Sequence, residues 1–243
     1  ELENRNRIVA VSPKMKVAVG IAETMAASNE PVFLHGPSGT GKHLFASRIH
    51  HDGAGAGRPF VWYPCGEVTA SDDSLRKAVQ NASGGTLYLS DLDELSPRSQ
   101  DVIKKILNDS GASQSYRIIG ASRYDPAALV KDCHPVGELL DLLHSCYIEL
   151  PPLVERKEDI EPLARYHLDR LCRQAGSEQK ALSPEFLQLL NLYSWPGNVR
   201  ELNNTLSQVL LTTATKKTLF AKDLPTHIRI QTLKTSAGQK MGR

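Results

Sequence analysis

The sequence predicts an α/β fold, in which a parallel β-sheet is flanked by helices and is followed by a small all-α domain. Short apolar runs alternate with amphipathic helical segments from about Ser12 to Leu150, which is typical of a parallel sheet covered on both faces. A glycine-rich stretch, Gly36–Lys42, lies between one such run and the following helix. After Pro151 helical periodicity continues without further strands.

Five apolar runs are the predicted strands. Each is short and is bounded by glycine, proline or polar residues, as expected for a buried strand. In chain order they are Pro31–Gly36, Pro59–Cys65, Thr86–Leu89, Arg117–Ser122 and Cys146–Leu150.

Helices are predicted from capping residues and from helical spacing. Ser12 and Ser96 each precede a proline, which is the usual pairing of an N-cap with the first helical position. Two further helices, Leu44–His50 and one through residues 75–82, cover the sheet. After Pro151 the predicted helices are Asp159–Gly176, Ser183–Ser194 and Asn198–Thr213.

These elements divide the chain into four segments. Residues 1–7 are charged and aperiodic and are predicted to be a linker. Residues 8–155 form the predicted α/β domain, and residues 156–228 form the helical domain. Residues 229–243 carry four basic residues, no acid and no strong period, so we expect a tail or linker there.

The composition limits the class of protein. Of the 243 residues, 40% are hydrophobic and 23% are charged, and the formal net charge is +2, which gives no sequence-wide attraction for nucleic acid. The four cysteines form no CxxC pair, and no apolar run approaches the ~18 residues of a membrane span. We therefore expect a cytoplasmic protein without membrane contact. Because the sequence begins at Glu1, we also expect it to be part of a longer chain.

The stretch GPSGTGK matches the GxxxxGK pattern of phosphate-binding loops. Glycines let the backbone wrap a phosphate, the next helix N-terminus adds positive potential, and Lys42 neutralises the outer phosphates. The alternative is a glycine-rich turn with a surface lysine, but the spacing and the strand–helix context favour a nucleotide site. Its predicted residues are Gly36, Pro37, Ser38, Gly39, Thr40, Gly41, Lys42, His43 and Leu44.

Two positions depart from a standard magnesium site. A serine or threonine hydroxyl normally follows the loop lysine, but this chain has His43, and a neutral imidazole is a poor ligand for so hard a cation. The alternative for His43 is a half-exposed residue at a helix N-terminus. The strand in GGTLYLSDLDEL should end in adjacent carboxylates, but Ser90 precedes Asp91, and we interpret Asp93 and Glu94 as solvated acids. Magnesium is thus weakly supported, and no protein metal site is predicted.

Four motifs together resemble the central AAA+ domain of bacterial enhancer-binding proteins, the sigma-54-dependent transcription activators. In order they are GPSGTGK, GGTLYL, ELPPLVERKEDI and YSWPGNVRELNNTL, and the resemblance runs from about Ile8 to Pro225. It implies an AAA+ P-loop NTPase fold with a helical lid, and ATP or ADP as the bound nucleotide. Transcription machinery and DNA would be partners through domains outside this chain, with a sensory domain before it and a helix-turn-helix domain after it.

The resemblance also assigns roles outside the loop. Arg200 falls at the sensor II position, where the lid meets the phosphates, and its alternative is an arginine paired with Glu201 or solvent. Val9 and Ile160 match positions that enclose the adenine base, and their alternative is a place in the core. Arg123 falls at the sensor I position, which is an asparagine in the family, and its alternative is to face solvent.

Other working positions have changed. Ser90 and Asp91 stand where the family has a magnesium-shell aspartate and a catalytic glutamate. The two arginine-finger positions hold Val136 and Leu142. Such fingers stabilise transition-state charge and are worth ~10³–10⁵ in rate in related systems. We therefore predict weak or no ATPase activity, with Asp91 as the one candidate catalytic base.

Two loops are short. The segments between Cys65 and Gly84 and between Asn108 and Tyr116 lack the loops of the family, including the tip that contacts the sigma factor. Without these loops, we expect no direct remodelling of sigma-54 polymerase by the route of the family. Self-association as a hexameric ring is doubtful without the fingers, and we expect a monomer or dimer.

Three functions remain open. The first is a nucleotide-responsive module of a transcriptional regulator, in which binding shifts the population of two conformations without turnover. The second is a slow ATPase with Asp91 as base and a metal held by phosphates and water. The third is a structural or interaction domain with a vestigial nucleotide site.

Overall fold

The structure is a computed structural model that describes residues 8–66, 72–109, 116–131, 137–140 and 146–241. These residues form two compact units. The first unit is Ile8 with Lys16–Leu150, and the second is Val9–Met15 with residues 151–241. The division therefore falls after Leu150 rather than after residue 155. The linker predicted at residues 1–7 lies outside the described residues.

The predicted parallel sheet is confirmed in the first unit. Its strands have the spatial order β2-β3-β4-β1-β5, and every pairing between them is parallel. All residues of β3 and β4 are buried, as expected when helices cover both faces. The strands are β1 (Val32–His35), β2 (Phe60–Pro64), β3 (Thr86–Ser90), β4 (Arg117–Ser122) and β5 (Tyr147–Glu149).

The helices that flank this sheet supply the other half of its core. Leu75, Leu92 and Ile103 pack with Phe33 and Leu89 in one apolar cluster. The helices in this part of the chain are α1 (Pro13–Ala26), α2 (Lys42–His51), α3 (Asp72–Asn81), α4 (Pro97–Asp109), α5 (Pro126–Lys131) and α6 (Gly137–Leu140).

The strand order determines which loops meet. Strand β4 lies between β1 and β3, and His35 pairs with Ser122 at the carboxyl ends of β1 and β4. Because all the strands are parallel, the segments that follow β1, β3 and β4 leave the same edge of the sheet. In open α/β sheets this edge is where ligands bind.

The second unit is built from helices around its own apolar core. Ile160, Phe186 and Trp195 are among its fully buried residues. No helix in the described part of the chain is long and apolar enough to cross a membrane. The helices of this unit are α7 (Ile160–Gln174), α8 (Pro184–Leu192), α9 (Asn198–Thr212) and α10 (Thr226–Met241).

Two expectations for this unit need correction. A short parallel bridge joins β6 (Ala181–Leu182) to β7 (Thr218–Leu219), although no strand was expected there. Two residues are too few for an alternating pattern, and the bridge forms because Leu182 and Leu219 are both buried. The predicted tail at residues 229–243 instead belongs to helix α10 as far as Met241. Its apolar face is narrow, because Ile228 and Thr232, one helical turn apart, are the buried positions among its described side chains.

Candidate nucleotide-binding site

The loop after β1 turns sharply through three glycines with positive φ angles. Gly36, Gly39 and Gly41 have φ angles of 144°, 79° and 115°, a region that side chains rarely adopt. A Cβ atom at Gly36 would also lie 2.2 Å from the carbonyl oxygen of Leu150. The loop then leads directly into α2, which begins at Lys42. Glycine at these positions is therefore a steric requirement of the loop.

Lys42 lies over this loop. Its Nζ donates to the carbonyl oxygens of Gly36, at 2.6 Å, and Pro37, at 3.2 Å. The hydroxyl of Thr40 donates to the same Pro37 carbonyl at 2.9 Å. The ammonium is thus held at the mouth of the loop, where a phosphate would compete with the carbonyl groups for its protons.

His43, in the first turn of α2, makes aromatic contacts. Its ring meets Trp62, Tyr88 and Phe60 edge-on, with centroids 5.1, 5.4 and 5.9 Å apart. Partial burial against these rings lowers the pKa of His43 and favours its neutral form. The residue is nevertheless exposed, in line with a histidine at a helix N-terminus.

The carboxyl end of β3 is closed by a contact with β2. Ser90 is buried, and its hydroxyl accepts a hydrogen bond from the indole Nε1 of Trp62 at 2.9 Å. Asp91 follows in the left-handed region, with φ 54°, and begins a short helical turn over Leu92–Glu94. The aspartate is half-buried at this turn.

Asp93, Glu94, Ser122 and Arg123 form a network that we call the acid–arginine cluster. Asp93 Oδ1 accepts from the Ser122 hydroxyl at 2.9 Å and from the Arg123 backbone N–H at 3.2 Å, and Oδ2 accepts from Arg123 Nε at 3.2 Å. Another guanidinium nitrogen of Arg123 pairs with Glu94 Oε1. The expectation of two solvated acids is therefore corrected: the Asp93 side chain is 2% exposed, and both carboxylates are paired.

The electrostatics of Asp93 follow from these contacts. Burial alone would raise the pKa of this carboxyl, but the hydrogen bonds from Ser122 and Arg123 outweigh it and hold the pKa below its ordinary value. Glu94 lies against Gly66, since a Cβ atom on Gly66 would lie 1.7 Å from Glu94 Oε2. Sequence reasoning missed the network because its partners are about thirty positions apart in the chain, and each pair lacks a local pattern.

Three groups beside the loop are poor ligands for a magnesium ion. Mg²⁺ prefers several oxygen ligands in octahedral geometry. Here the Asp93 carboxylate is engaged by Ser122 and Arg123, Ser90 accepts from an indole, and the position after Lys42 carries an imidazole. Within the ranges that the structure describes, no cluster of three or more His, Cys, Asp or Glu residues is arranged to hold a metal.

In the second unit, the WPGN stretch builds the turn before α9. Trp195 and Asn198 both have positive φ angles, 51° and 52°. The Trp195 indole is buried and donates to Leu190 O at 2.7 Å, and Asn198 Oδ1 accepts from the Leu153 N–H at 2.7 Å. The motif therefore fixes where α9 begins.

Arg200 is exposed on the first turn of this helix. Its neighbour Glu201 accepts hydrogen bonds from the Tyr193 hydroxyl, at 2.9 Å, and from the Gly197 N–H, at 2.7 Å. Glu201 thus stabilises the turn that presents Arg200.

Val9 and Ile160 lie in the same apolar core of the second unit, where Ile160 is fully buried and Val9 is partly buried. Nearby is a contact that the sequence did not indicate. Asp159 is fully buried, and its Oδ1 accepts from the N–H groups of Val11, at 2.6 Å, and Ser12, at 2.8 Å, while Oδ2 accepts from the Ser12 hydroxyl at 2.8 Å. This carboxylate ties the segment that contains Val9 to the start of α7.

Several predicted features lie outside the described residues. The arginine-finger positions Val136 and Leu142 are among them, as are residues 67–71 and 110–115 of the two short loops.

The parallel sheet, the loop after β1 and the helical unit together define a P-loop NTPase fold of the AAA+ class. The family follows from the sequence: residues 9–153 match the sigma-54 interaction domain, and residues 154–241 match the AAA+ ATPase lid domain. Because the first match covers more than half of the chain, the chain belongs to the sigma-54 interaction domain family, and the resemblance drawn from its motifs is confirmed.

Curated relatives agree with this assignment. The chain is 32% identical to the transcriptional regulatory protein ZraR of Klebsiella oxytoca, over 84% of this chain and 53% of that protein. It is 30% identical to the DNA-binding transcriptional regulator NtrC of Escherichia coli K12, over 96% of this chain and 55% of that protein. The chain therefore spans about half the length of the curated relatives it matches.

Solved structures share the fold. NtrX from Brucella abortus in complex with ADP has a TM-score of 0.82 and 26% identity, and covers 92% of this chain and 56% of its own. NtrX in complex with ATP has the same TM-score and identity, over 91% and 55%. The RuvB branch migration motor of Thermotoga maritima, at TM-score 0.59 and 17% identity over 91% of this chain and 66% of its own, shares the fold alone.

Proposed function

We propose that this chain is the nucleotide-responsive AAA+ module of a transcriptional regulator, and that it binds ATP or ADP at Gly36–Lys42 and hydrolyses ATP weakly or not at all. The observation that carries the proposal is the loop itself. Three glycines with positive φ angles curve the backbone between β1 and α2, and Lys42 reaches back over the curve. Such loops bind phosphates through inward N–H groups, a helix N-terminus and a lysine.

The solved relatives support a nucleotide as the ligand. NtrX has been crystallised with ADP and with ATP, and it matches this chain over both units at 26% identity. By their positions in the family motifs, we propose Val9, Ile160 and Arg200 as further nucleotide contacts. The loop residues, together with His43 and Leu44 in the first turn of α2, are proposed to bind the phosphates.

Slow or absent hydrolysis is supported by the groups that follow β3. Ser90 offers a hydroxyl that already accepts from Trp62, and Asp91 is one methylene shorter than the glutamate of the family. Arg123 stands at the sensor I position, where the family has an asparagine. Its guanidinium is bound by Asp93 and Glu94, and a cation cannot orient a water molecule as an amide does. Asp91 is the remaining candidate for a catalytic base.

A response without turnover is physically sufficient. A nucleotide with different affinities for two conformations shifts their populations through binding alone. In the whole protein, we propose that contact with DNA and with the transcription machinery belongs to other domains. The short loops and the residues at the finger positions argue against direct remodelling of sigma-54 polymerase and against a nucleotide-dependent hexamer.

Calorimetric titration with ATP and with ADP tests the binding proposal. We expect the parent chain to bind both and Lys42→Ala to lose at least about tenfold in affinity, because a charge-assisted contact to phosphate is removed. Lys16→Ala is the matched control, since it removes an exposed lysine from α1 of the same unit. If the parent and Lys42→Ala bind with equal affinity, or if the parent does not bind, the loop is vestigial. That result would favour a structural or interaction domain.

A further inference from the structure

We infer that the guanidinium of Arg123 takes the place of a divalent cation beside the phosphate loop, so that this chain binds ATP or ADP equally well with and without Mg²⁺. The inference rests on the proposed function, because it concerns the nucleotide at Gly36–Lys42. It goes further by naming the residue that replaces the metal.

One cation joins two carboxylates in the acid–arginine cluster. Arg123 Nε donates to Asp93 Oδ2 at 3.2 Å, and another guanidinium nitrogen pairs with Glu94 Oε1. A divalent metal placed between two acids would bridge them in the same way. The guanidinium has the planar set of donors that suits carboxylates.

The cluster adjoins the phosphate loop. The Ser122 hydroxyl donates to Asp93 Oδ1 at 2.9 Å, and the Ser122 carbonyl accepts from the Gly36 N–H at 3.3 Å. Two hydrogen bonds therefore separate the Asp93 carboxylate from the first glycine of the loop. Two uncompensated carboxylates at this place would repel a bound phosphate, and the charge of Arg123 reduces the pair to a single net negative charge.

A metal would have to displace the arginine. Both oxygens of Asp93 already accept hydrogen bonds, and its side chain is 2% exposed. Only the Asp93 side of this network is shielded from solvent, since the side chains of Arg123 and Glu94 are 41% and 40% exposed, so loss of Arg123 would leave the Asp93 carboxylate without its charged partner. Mg²⁺ also gives up its water ligands reluctantly, so it gains little from Asp93 and Glu94, which are already paired with Arg123.

Calorimetry with ADP tests the inference, with EDTA in excess or with Mg²⁺ in excess. We expect the affinity of the parent for ADP to differ by no more than about twofold between the two conditions. Arg123→Ala should bind roughly tenfold more weakly in EDTA and recover in Mg²⁺, because the released carboxylates need a new counter-ion. Arg123→Lys keeps the charge but lacks the planar set of donors, so its affinity for ADP in EDTA should fall between those of the parent and Arg123→Ala. Arg98→Ala, which removes an exposed arginine from α4, is the control for net charge.

Two outcomes of that titration would overturn the inference. One is that the parent no longer binds ADP when Mg²⁺ is removed. The other is that the affinity of Arg123→Ala for ADP is the same with and without Mg²⁺. Thermal unfolding of each variant checks that the fold is retained, and Arg123→Lys keeps the test informative if Arg123→Ala does not fold.

A second readout separates the role of Arg123 from nucleotide binding. Mn²⁺ binding to the nucleotide-free chain, followed by electron paramagnetic resonance, should be roughly tenfold tighter for Arg123→Ala than for the parent and Arg98→Ala. No gain in Mn²⁺ affinity would overturn the role of Arg123. A gain in Mn²⁺ affinity without ADP binding by any variant would support that role and contradict the proposed function instead.

Discussion

The indole of Trp62 donates a hydrogen bond to the buried hydroxyl of Ser90 across 2.9 Å, at the carboxyl end of β3. This contact occupies the position where the family has a magnesium-shell aspartate. The same Trp62 ring also meets His43, with centroids 5.1 Å apart. One aromatic side chain thus contacts both residues that depart from a standard magnesium site.

Restoring the acids alone should not restore turnover. We expect Ser90→Asp combined with Asp91→Glu to release phosphate from ATP no faster than the parent, because Arg123 and His43 remain. A carboxylate at buried position 90 should also lower the free energy of unfolding by about 1–3 kcal/mol. Ser83→Asp, which adds the same charge at an exposed position before β3, is the control. A clear rise in phosphate release by the double variant would contradict this account.

The stability of the chain should depend on the protonation of His167. Burial, and to a lesser extent Arg170, lower the pKa of His167 to about 4. The unfolded chain takes up this proton near pH ~6.5, whereas the folded chain does so only near pH 4. The stabilising effect is therefore complete above pH ~6.5 and is lost as the pH falls towards about 4, with a loss of about 3 kcal/mol in the free energy of unfolding.

Urea unfolding as a function of pH measures this effect. We expect His167→Gln to reduce the loss of stability between those two pH values, because the titrating group is removed. His227→Gln removes an exposed histidine of the same unit and should leave the pH dependence as in the parent. Identical pH dependence in the parent and His167→Gln would show that another group is responsible.

Lys180 should contribute to stability as a helix cap. Its buried ammonium donates to the carbonyl oxygens of Thr213 and Ala214, both at 3.0 Å, and of Lys216 at 2.5 Å, just after α9. Lys180→Met should lower the free energy of unfolding by about 1–3 kcal/mol, because the three carbonyl groups, of which that of Thr213 is buried, lose their donor. Urea denaturation measures this change.

Lys217→Met is the matched control for that substitution. Lys217 is 85% exposed and lies 3.7 Å from an equally exposed Glu178, so its loss should change the free energy of unfolding by less than about 1 kcal/mol. Similar effects of the two lysine substitutions would show that the carbonyl contacts of Lys180 contribute no more than a surface ion pair.

Asp159 should hold the segment before α1 in place. Asp159→Ala removes the acceptor for the N–H groups of Val11 and Ser12, so we expect a loss of about 2–4 kcal/mol in the free energy of unfolding of the second unit. Hydrogen exchange should also become faster at these two amides. Glu158→Ala, which alters an exposed neighbour, should leave both unchanged. Unaltered protection of Val11 and Ser12 in Asp159→Ala would contradict this role.

The sequence was sufficient for features that depend on local patterns. The five strands are apolar runs bounded by turn residues, and the loop Gly36–Lys42 is a contiguous motif, so both could be read directly. The caps at Ser12 and Ser96 follow the same logic, and the Ser96 hydroxyl accepts from the Ser99 N–H at 3.2 Å in the structure.

Features that depend on distant residues could not be predicted in this way. Asp93 and Glu94 looked like solvated acids because their partner, Arg123, is about thirty positions away. Asp159 contacts a residue 148 positions away. Helix α10 was missed for a different reason, since a narrow buried face leaves little periodicity in the sequence.

A single-turnover experiment with radiolabelled ATP and the chain in excess, with and without Mg²⁺, tests most directly whether the chain binds ATP without hydrolysing it. We expect binding of ATP to depend on Lys42 and the bound ATP to stay intact long after binding is complete. Conversion of the bound ATP to ADP and phosphate on the time scale of catalytic turnover, abolished by Asp91→Asn, would contradict this expectation and establish a working ATPase.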